Sequence, residues 1–124
     1  MQVKTDTKEK FHVITLPENS LSASMTEEFN NYLLSFLQND VKNIVLVLKD
    51  IKMMDNAAAE NLLTLQQKFY EARASFVICE MQKPVEKLLD ENELLELLNV
   101  APTESEAADI VQMEEMEREM FDEE

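Results

Sequence analysis

The sequence predicts an α/β fold with a mixed, mostly parallel sheet of four or five strands and about four helices. Short β-branched and apolar runs alternate with segments of helical spacing, an order typical of parallel strands joined by crossover helices. The first two runs are separated by four residues, which predicts an antiparallel hairpin at one edge of the sheet. The length of 124 residues suits a single domain.

The strands are predicted from composition and from the spacing of apolar residues. Residues 3–6 and 11–16 form the hairpin. Residues 43–48 contain an uninterrupted apolar run, which is typical of a strand covered on both faces. A second buried strand is predicted at 75–79, and a short last strand near 98–100.

Four helical segments separate the strands. Residues 24–27, Ser-Met-Thr-Glu, have the pattern of a capping box at the start of the first helix. The second helix is predicted from 56 to 72, and a short third helix begins at Pro84, since proline suits a first helical turn. The last helix, which ends near residue 120, follows a second capping pattern at 103–106.

Negative charge is concentrated at the C-terminal end. Residues 1–100 carry ten Lys/Arg and sixteen Asp/Glu (net -6), residues 101–124 carry one Arg and ten acids (net -9), and together they give -15. Such a field repels nucleic acid and anionic membranes and favours a basic surface on a protein partner. Alternatively, the acids only keep a small protein soluble.

We divide the chain into a single domain, residues 1–113, and an acidic C-terminal helix extension or tail, residues 114–124. In the last helix, Ile110, Met113, Met116 and Met120 fall on one stripe. Two interpretations stay open. All four side chains belong to the core, or the methionines form an adaptable apolar strip for a partner, including a second copy in a dimer.

Residues suited to catalysis or ligand binding are scarce. Glycine is absent, and phosphate-binding loops, dinucleotide-binding turns and the serine nucleophile elbow all need it. His12 is the only histidine, Cys79 lies in an apolar run, and the acids lack calcium-loop spacing. We expect no enzyme activity, no catalytic residue, no cofactor and no metal.

The same composition bears on localisation and on backbone conformation. The N-terminus lacks the apolar segment of a secretory signal, and no apolar run approaches the ~18 residues of a membrane span. We expect a cytoplasmic protein without membrane insertion. In the absence of glycine, positive φ angles are expected at Asn19, Asn39, Asp40 and Asn99, because Asn and Asp tolerate them best.

Three segments together resemble the STAS domain family, the sulphate-transporter and anti-sigma-factor-antagonist domains. Residues 43–55, NIVLVLKDIKMMD, are similar to the family's buried strand and the loop that ends in Asp. Residues 76–79 match the next strand, and Thr103 to Ala107 match the Thr-x-x-x-Ala entry to the last helix. The resemblance implies a sheet with helices predominantly on one side.

The resemblance also implies a regulatory function. Stand-alone bacterial members are anti-sigma factor antagonists that regulate transcription. Their partner, a serine kinase that is also the anti-sigma factor, phosphorylates the serine directly after the Asp. Here Asn56 follows Asp55, and an amide cannot accept a phosphoryl group. The chain is thus identified as a non-phosphorylatable STAS domain.

We predict that the junction between the loop and the second helix binds the protein partner. The predicted contact residues are Met53, Met54, Asp55, Asn56, Ala57, Glu60 and Asn61. The leading partner is an anti-sigma factor or a related ATPase of the serine-kinase fold. One alternative is a cytosolic subunit that docks on the ATPase of an ABC-type lipid transporter, and another is a sensor of nucleotides or other small ligands.

Overall fold

A computed structural model describes residues 1–122 and confirms the predicted α/β fold. Seven strands and four helices follow one another along the chain. The strands are β1 (Lys4–Thr7), β2 (His12–Thr15), β3 (Ser20–Leu21), β4 (Ile44–Val47), β5 (Met53–Met54), β6 (Phe76–Cys79) and β7 (Val100–Ala101). The helices are α1 (Thr26–Ser35), α2 (Asn56–Glu71), α3 (Lys83–Glu91) and α4 (Glu104–Asp122).

The main sheet has five strands in the order β1-β2-β4-β6-β7. The predicted hairpin is present: β1 and β2 pair antiparallel at one edge, and the other neighbours pair parallel. The residues of β1 are all exposed, whereas those of β4 and β6 are all buried. The uninterrupted apolar runs therefore occupy the centre of the sheet, where both faces are covered.

Helices cover the two faces of the sheet unequally. On one face α1, α2 and α3 pack over the larger apolar cluster, which includes Leu46, Phe69 and Ile78. On the other face α4 covers a smaller cluster with Ala107 and Val111. Alternate residues of β4 and β6 contribute to opposite clusters, as the period of two in a strand requires.

The structure contains a second, two-stranded sheet that the sequence did not predict. Its strands, β3 and β5, pair in parallel, with Ser20 opposite Met53 and Leu21 opposite Met54. We predicted no strand at either segment, because two residues are too few to show a strand period. The pairing fixes the loop that precedes α2.

The two predicted capping boxes have different outcomes. The hydroxyl of Thr103 accepts a hydrogen bond from the Glu106 N–H at 3.1 Å, so the cap before α4 is confirmed. The box at residues 24–27 is wrong: Ser24 lies inside a 3-10 turn, Ala23–Met25, and α1 begins without a side-chain cap. The 3-10 turn leads directly into α1 and takes the place of a capping side chain.

Positive φ angles occur at other residues than we predicted. Within residues 1–122 they belong to Arg73, Glu80 and Glu93. Arg73 and Glu93 each follow the end of a helix, and in both cases the next N–H donates to a carbonyl five residues back, Ala74 to Phe69 and Leu94 to Leu89, both at 2.8 Å. This is the Schellman geometry, which demands a left-handed residue whatever its type.

A polar network joins the second half of α4 to the rest of the domain. The Glu114 carboxylate accepts hydrogen bonds from the Tyr70 hydroxyl at 2.7 Å and from the Ser75 hydroxyl at 2.5 Å. Arg118 donates to Ser75 at 3.0 Å and to Asn43 at 3.3 Å. Burial and the Glu114 carboxylate raise the pKa of Tyr70, which therefore donates at neutral pH.

The helix is continuous through the boundary proposed after residue 113. Glu114, Glu115 and Arg118 all contact the domain, and Glu115 accepts a bond of 2.9 Å from the Asn43 amide. That amide, together with Arg118, lowers the pKa of Glu115. Residues 123–124 of the proposed tail lie outside the described residues, and the division itself stays a prediction.

A matched pair of leucine substitutions tests the position of the core. Leu46→Ala, in β4, should lower the free energy of unfolding by about 2–5 kcal/mol, because it leaves a cavity in the core. Leu97→Ala, at a side chain that is 58% exposed, should change it by less than about 0.5 kcal/mol. Urea denaturation followed by circular dichroism measures both, and equal losses would contradict this core.

Candidate functional site

The candidate site is the junction where β5 meets α2. Backbone hydrogen bonds hold it to the segment around β3: the N–H groups of Lys52 and Met53 donate to the Asn19 carbonyl at 2.7 and 3.2 Å. The Asp55 N–H donates to the Leu21 carbonyl at 3.3 Å. The start of α2 is thus fixed by a segment more than thirty residues earlier in the chain.

Asp55 is the cap of α2. It has an extended backbone (φ -88°, ψ 167°), and its Oδ1 accepts the Ala58 N–H at 2.8 Å. Its Oδ2 accepts the Ala23 N–H, also at 2.8 Å. These bonds favour the charged form, so the Ala23 and Ala58 amides lower the pKa of Asp55. Both carboxylate oxygens have partners within the domain.

Two amide side chains of the site also have partners within the domain. Asn61 and Asn30 form a reciprocal pair across α2 and α1, with N–O distances of 2.7 and 2.9 Å. Asn56, the first residue of α2, accepts a bond of 3.3 Å from Asn92, which caps the end of α3. Asn56 is exposed, whereas Asn61 is half-buried.

The predicted contact residues therefore fall into two groups. Asp55 and Asn61 hold the junction together, and Met54 is half-buried against the core. Met53, which is 71% exposed, lies on the surface. Asn56, Ala57 and Glu60 are exposed as well, and so is Asp55, although both of its carboxylate oxygens already accept backbone N–H groups. The fold brings all seven to one place, and it leaves Met53, Asn56, Ala57 and Glu60 as the side chains best placed to contact a partner.

Sequence reasoning missed the residues that complete the site. Ala23, Asn30 and Asn92 lie far from the junction in sequence, and their contacts depend on the fold. The turn at Ala23 also places Ser22 and Ser24, whose hydroxyls are 3.0 Å apart, beside Asp55. The alternating serines of residues 20–24 are visible in the sequence, but they do not indicate that the turn contacts Asp55.

The only histidine and the only cysteine of the sequence are both buried in the main sheet. His12 is buried, and its ring contacts the Thr7 hydroxyl and the Val41 carbonyl at 2.9 and 2.8 Å. Burial raises the pKa of the Cys79 thiol to about 12, so the reactive thiolate is not populated at neutral pH. Within residues 1–122, no His, Cys, Asp and Glu side chains are grouped to hold a metal ion.

Comparison with known families identifies this arrangement. The model of the STAS domain family matches residues 2–107. The chain belongs to the STAS domain family. The resemblance seen in the sequence is confirmed, and so is the expected fold. A comparison with curated proteins finds no significant match.

Solved structures with the same fold cover almost the whole of this STAS domain. A proposed anti-sigma factor antagonist from Thermotoga maritima is 20% identical, with a TM-score of 0.75 over 89% of this chain and 94% of that one. An anti-sigma-factor antagonist (STAS) domain protein from Planctomyces limnophilus is 16% identical, with a TM-score of 0.76 over 89% and 97%. The unphosphorylated anti-sigma factor antagonist SpoIIAA is 18% identical, with a TM-score of 0.70 over 90% and 96%.

Among residues 1–122 of this STAS domain, no helix is both long and apolar enough to cross a bilayer. The longest, α4, carries acids throughout its length.

The cap at Asp55 predicts a defined pH dependence. The pKa of Asp55 is lower in the folded state than in the unfolded state. The carboxylate therefore stabilises the fold at pH values above the pKa of the unfolded state, and this stabilisation is lost as the pH falls through the pKa of the folded state. The difference in urea midpoint between the wild type and Asp55→Ala should be constant near neutral pH, and it should disappear below about pH 4.

The matched control for this experiment is Asp50→Ala, at an exposed acid in the turn before β5. Its midpoint should stay near that of the wild type across the same range. A gap for Asp55→Ala that persists unchanged into strong acid would show that the side chain acts through something other than its charged carboxylate.

Proposed function

We propose that this STAS domain is a cytoplasmic anti-sigma factor antagonist that lacks the phosphorylatable serine and acts by binding a protein partner. The partner we propose is an anti-sigma factor or a related ATPase of the serine-kinase fold. The observation that carries the proposal is the state of the junction: its helix cap is intact, and Met53 is exposed beside it. The family membership supports the general role.

The proposed contact surface consists of Met53, Asn56, Ala57 and Glu60. Met53 supplies an apolar anchor, which suits an adaptable protein contact. Asn56 and Ala57 form the exposed first turn of α2, and Glu60 follows one turn later. Asp55 is a positioning residue in this proposal, because its two oxygens already accept backbone N–H groups.

The chemistry of residue 56 determines how the contact is regulated. A phosphate at the first residue of a helix would meet free N–H groups and the positive end of the helix dipole, so a serine there can be modified without unfolding the helix. Asn56 occupies that place at the start of α2 and has no hydroxyl. We therefore propose that binding is set by concentration and affinity alone.

Binding to a purified anti-sigma factor of the serine-kinase fold from the same organism tests the contact surface. Met53→Ser plus Asn56→Arg should weaken binding by roughly tenfold or more, since loss of an anchor and a clash act together. Isothermal titration calorimetry measures the change.

The control for the titration is Leu97→Ser, which alters another exposed apolar side chain, outside both α2 and α4. It should bind as the wild type does. If no such anti-sigma factor binds, or if both variants bind like the wild type, the proposed surface is wrong. Co-purification with the ATPase of an ABC-type transporter would instead support the alternative partner, and saturable heat with ATP or GTP would support a nucleotide sensor.

Phosphorylation by the same kinase tests residue 56 separately. The wild type should gain no phosphoryl group there, whereas Asn56→Ser should gain one, because the variant restores an acceptor hydroxyl at a helix start. Intact-mass measurement followed by peptide mapping distinguishes residue 56 from the neighbouring Ser22 and Ser24. Phosphate on the wild type at Ser22 or Ser24 would show that another hydroxyl of the site carries the regulation.

A further inference from the structure

The exposed apolar side chains of this STAS domain are concentrated on one helix. Among residues 1–122, six large hydrophobic side chains are exposed, and four of them lie on α4. These four define the α4 strip: Met113 (56% exposed), Met116 (64%), Met120 (68%) and Phe121 (73%). The strip is separate from the junction, because α4 packs on the opposite face of the sheet from α2.

The second half of α4 has its polar and apolar faces inverted. A surface helix normally turns its apolar stripe toward the core and its charges toward water. Here Glu114, Glu115 and Arg118 face the domain and hold the helix through the polar network, while Met113, Met116 and Met120 face outward. None of these three methionines belongs to either core cluster, and the network fixes the helix that carries them.

The spacing of the methionines matches one side of a helix. Positions 113, 116 and 120 are separated by three and four residues, so their side chains form a continuous ridge. Methionine is flexible and polarisable, and it packs well against varied apolar surfaces. A ridge of this kind fits the apolar face of a second amphipathic helix.

Acids surround the ridge and limit what can cover it. Asp109, Glu117 and Glu119 lie on the same exposed surface of α4, and the segment from residue 101 onward has a net charge of -9. A second copy of the chain would bring two such segments together, and an anionic membrane would repel them. A basic segment would neutralise the acids while its apolar face covers the methionines.

We propose that the α4 strip is a second docking surface, independent of the junction, whose occupant is a basic amphipathic helix of a protein partner. Charge steers the association, and the methionine ridge supplies the apolar contact. The polar network presents α4 in a fixed orientation, so the contact does not require the helix to order on binding.

A synthetic peptide serves as the probe. It is a helix of about 18 residues with leucines on one face and lysines on the others, labelled with a fluorophore. A second peptide replaces every lysine with glutamine and keeps the leucines. Fluorescence anisotropy with the full chain measures the affinity of each peptide at low and at high salt.

Two variants with the same type of substitution distinguish the α4 strip from the junction. Met116→Ser plus Met120→Ser should weaken binding of the lysine peptide by roughly tenfold, although every charge is retained. Met53→Ser should bind like the wild type. The glutamine peptide should bind more weakly than the lysine peptide at low salt, and added salt should reduce the difference.

Several outcomes would overturn the proposal. Equal binding of the lysine peptide to the wild type and the double variant would mean that charge alone attracts it. Equal binding of the two peptides would show that the acids of α4 do not attract the partner. Absence of binding by either peptide would show that the α4 strip is not a docking surface. A wild-type dimer in sedimentation that the double variant abolishes would make a second copy the occupant, and binding to anionic vesicles that depends on the methionines would make it a membrane.

Discussion

The Asp55 carboxylate is the interaction on which the geometry of the site depends. One oxygen caps α2 through the Ala58 N–H, and the other holds the turn at Ala23 that leads into α1. A single side chain therefore connects the starts of two helices whose positions differ by thirty residues in sequence. The parallel pairing of β3 with β5 supports the same join, because it aligns the two segments before either helix begins. An aspartate suits this place, since each of its oxygens can accept a bond and its charge matches the dipole at the start of α2.

At both the junction and α4, some residues form hydrogen bonds within the domain that position the surface, and other residues are exposed on that surface. At the junction the acid and Asn61 are used internally, which leaves Met53 and the exposed first turn of α2. On α4 the acids Glu114 and Glu115 are used internally, which leaves the methionines. In both places polar contacts supply the rigidity that apolar packing supplies elsewhere in the domain. This costs the desolvation of charged groups, but their hydrogen bonds offset it, and within residues 1–122 no buried side-chain polar atom lacks a partner.

Sequence alone predicted the features that depend on local pattern. The uninterrupted runs of β4 and β6, the hairpin, and the cap at Thr103 all follow from residue order over a few positions.

The positive φ angles at Arg73 and Glu93 were missed because the helix end imposes them, and residue preference does not. The cap at residues 24–27 was wrong because the chain enters α1 through a 3-10 turn. The contacts of Asp55 with Ala23, and of Asn61 with Asn30, join distant parts of the chain, and no local pattern reports them. For α4 the spacing left two interpretations open, because a stripe of methionines has the same period whether it faces the core or water.

In the function we propose, Asn56 is the position at which a phosphorylation switch is lost while the helix start that would support it is retained. The helix start at α2 needs a cap, and Asp55 supplies it without help from the next residue. Residue 56 is then free of any folding role that only serine could fill, and its amide reaches Asn92 at the end of α3. The amide therefore adds a contact to the fold, and it carries no hydroxyl that could accept a phosphate. In the function we propose, control therefore rests on the amount of partner present, and the α4 strip is proposed as a separate contact for a basic helix.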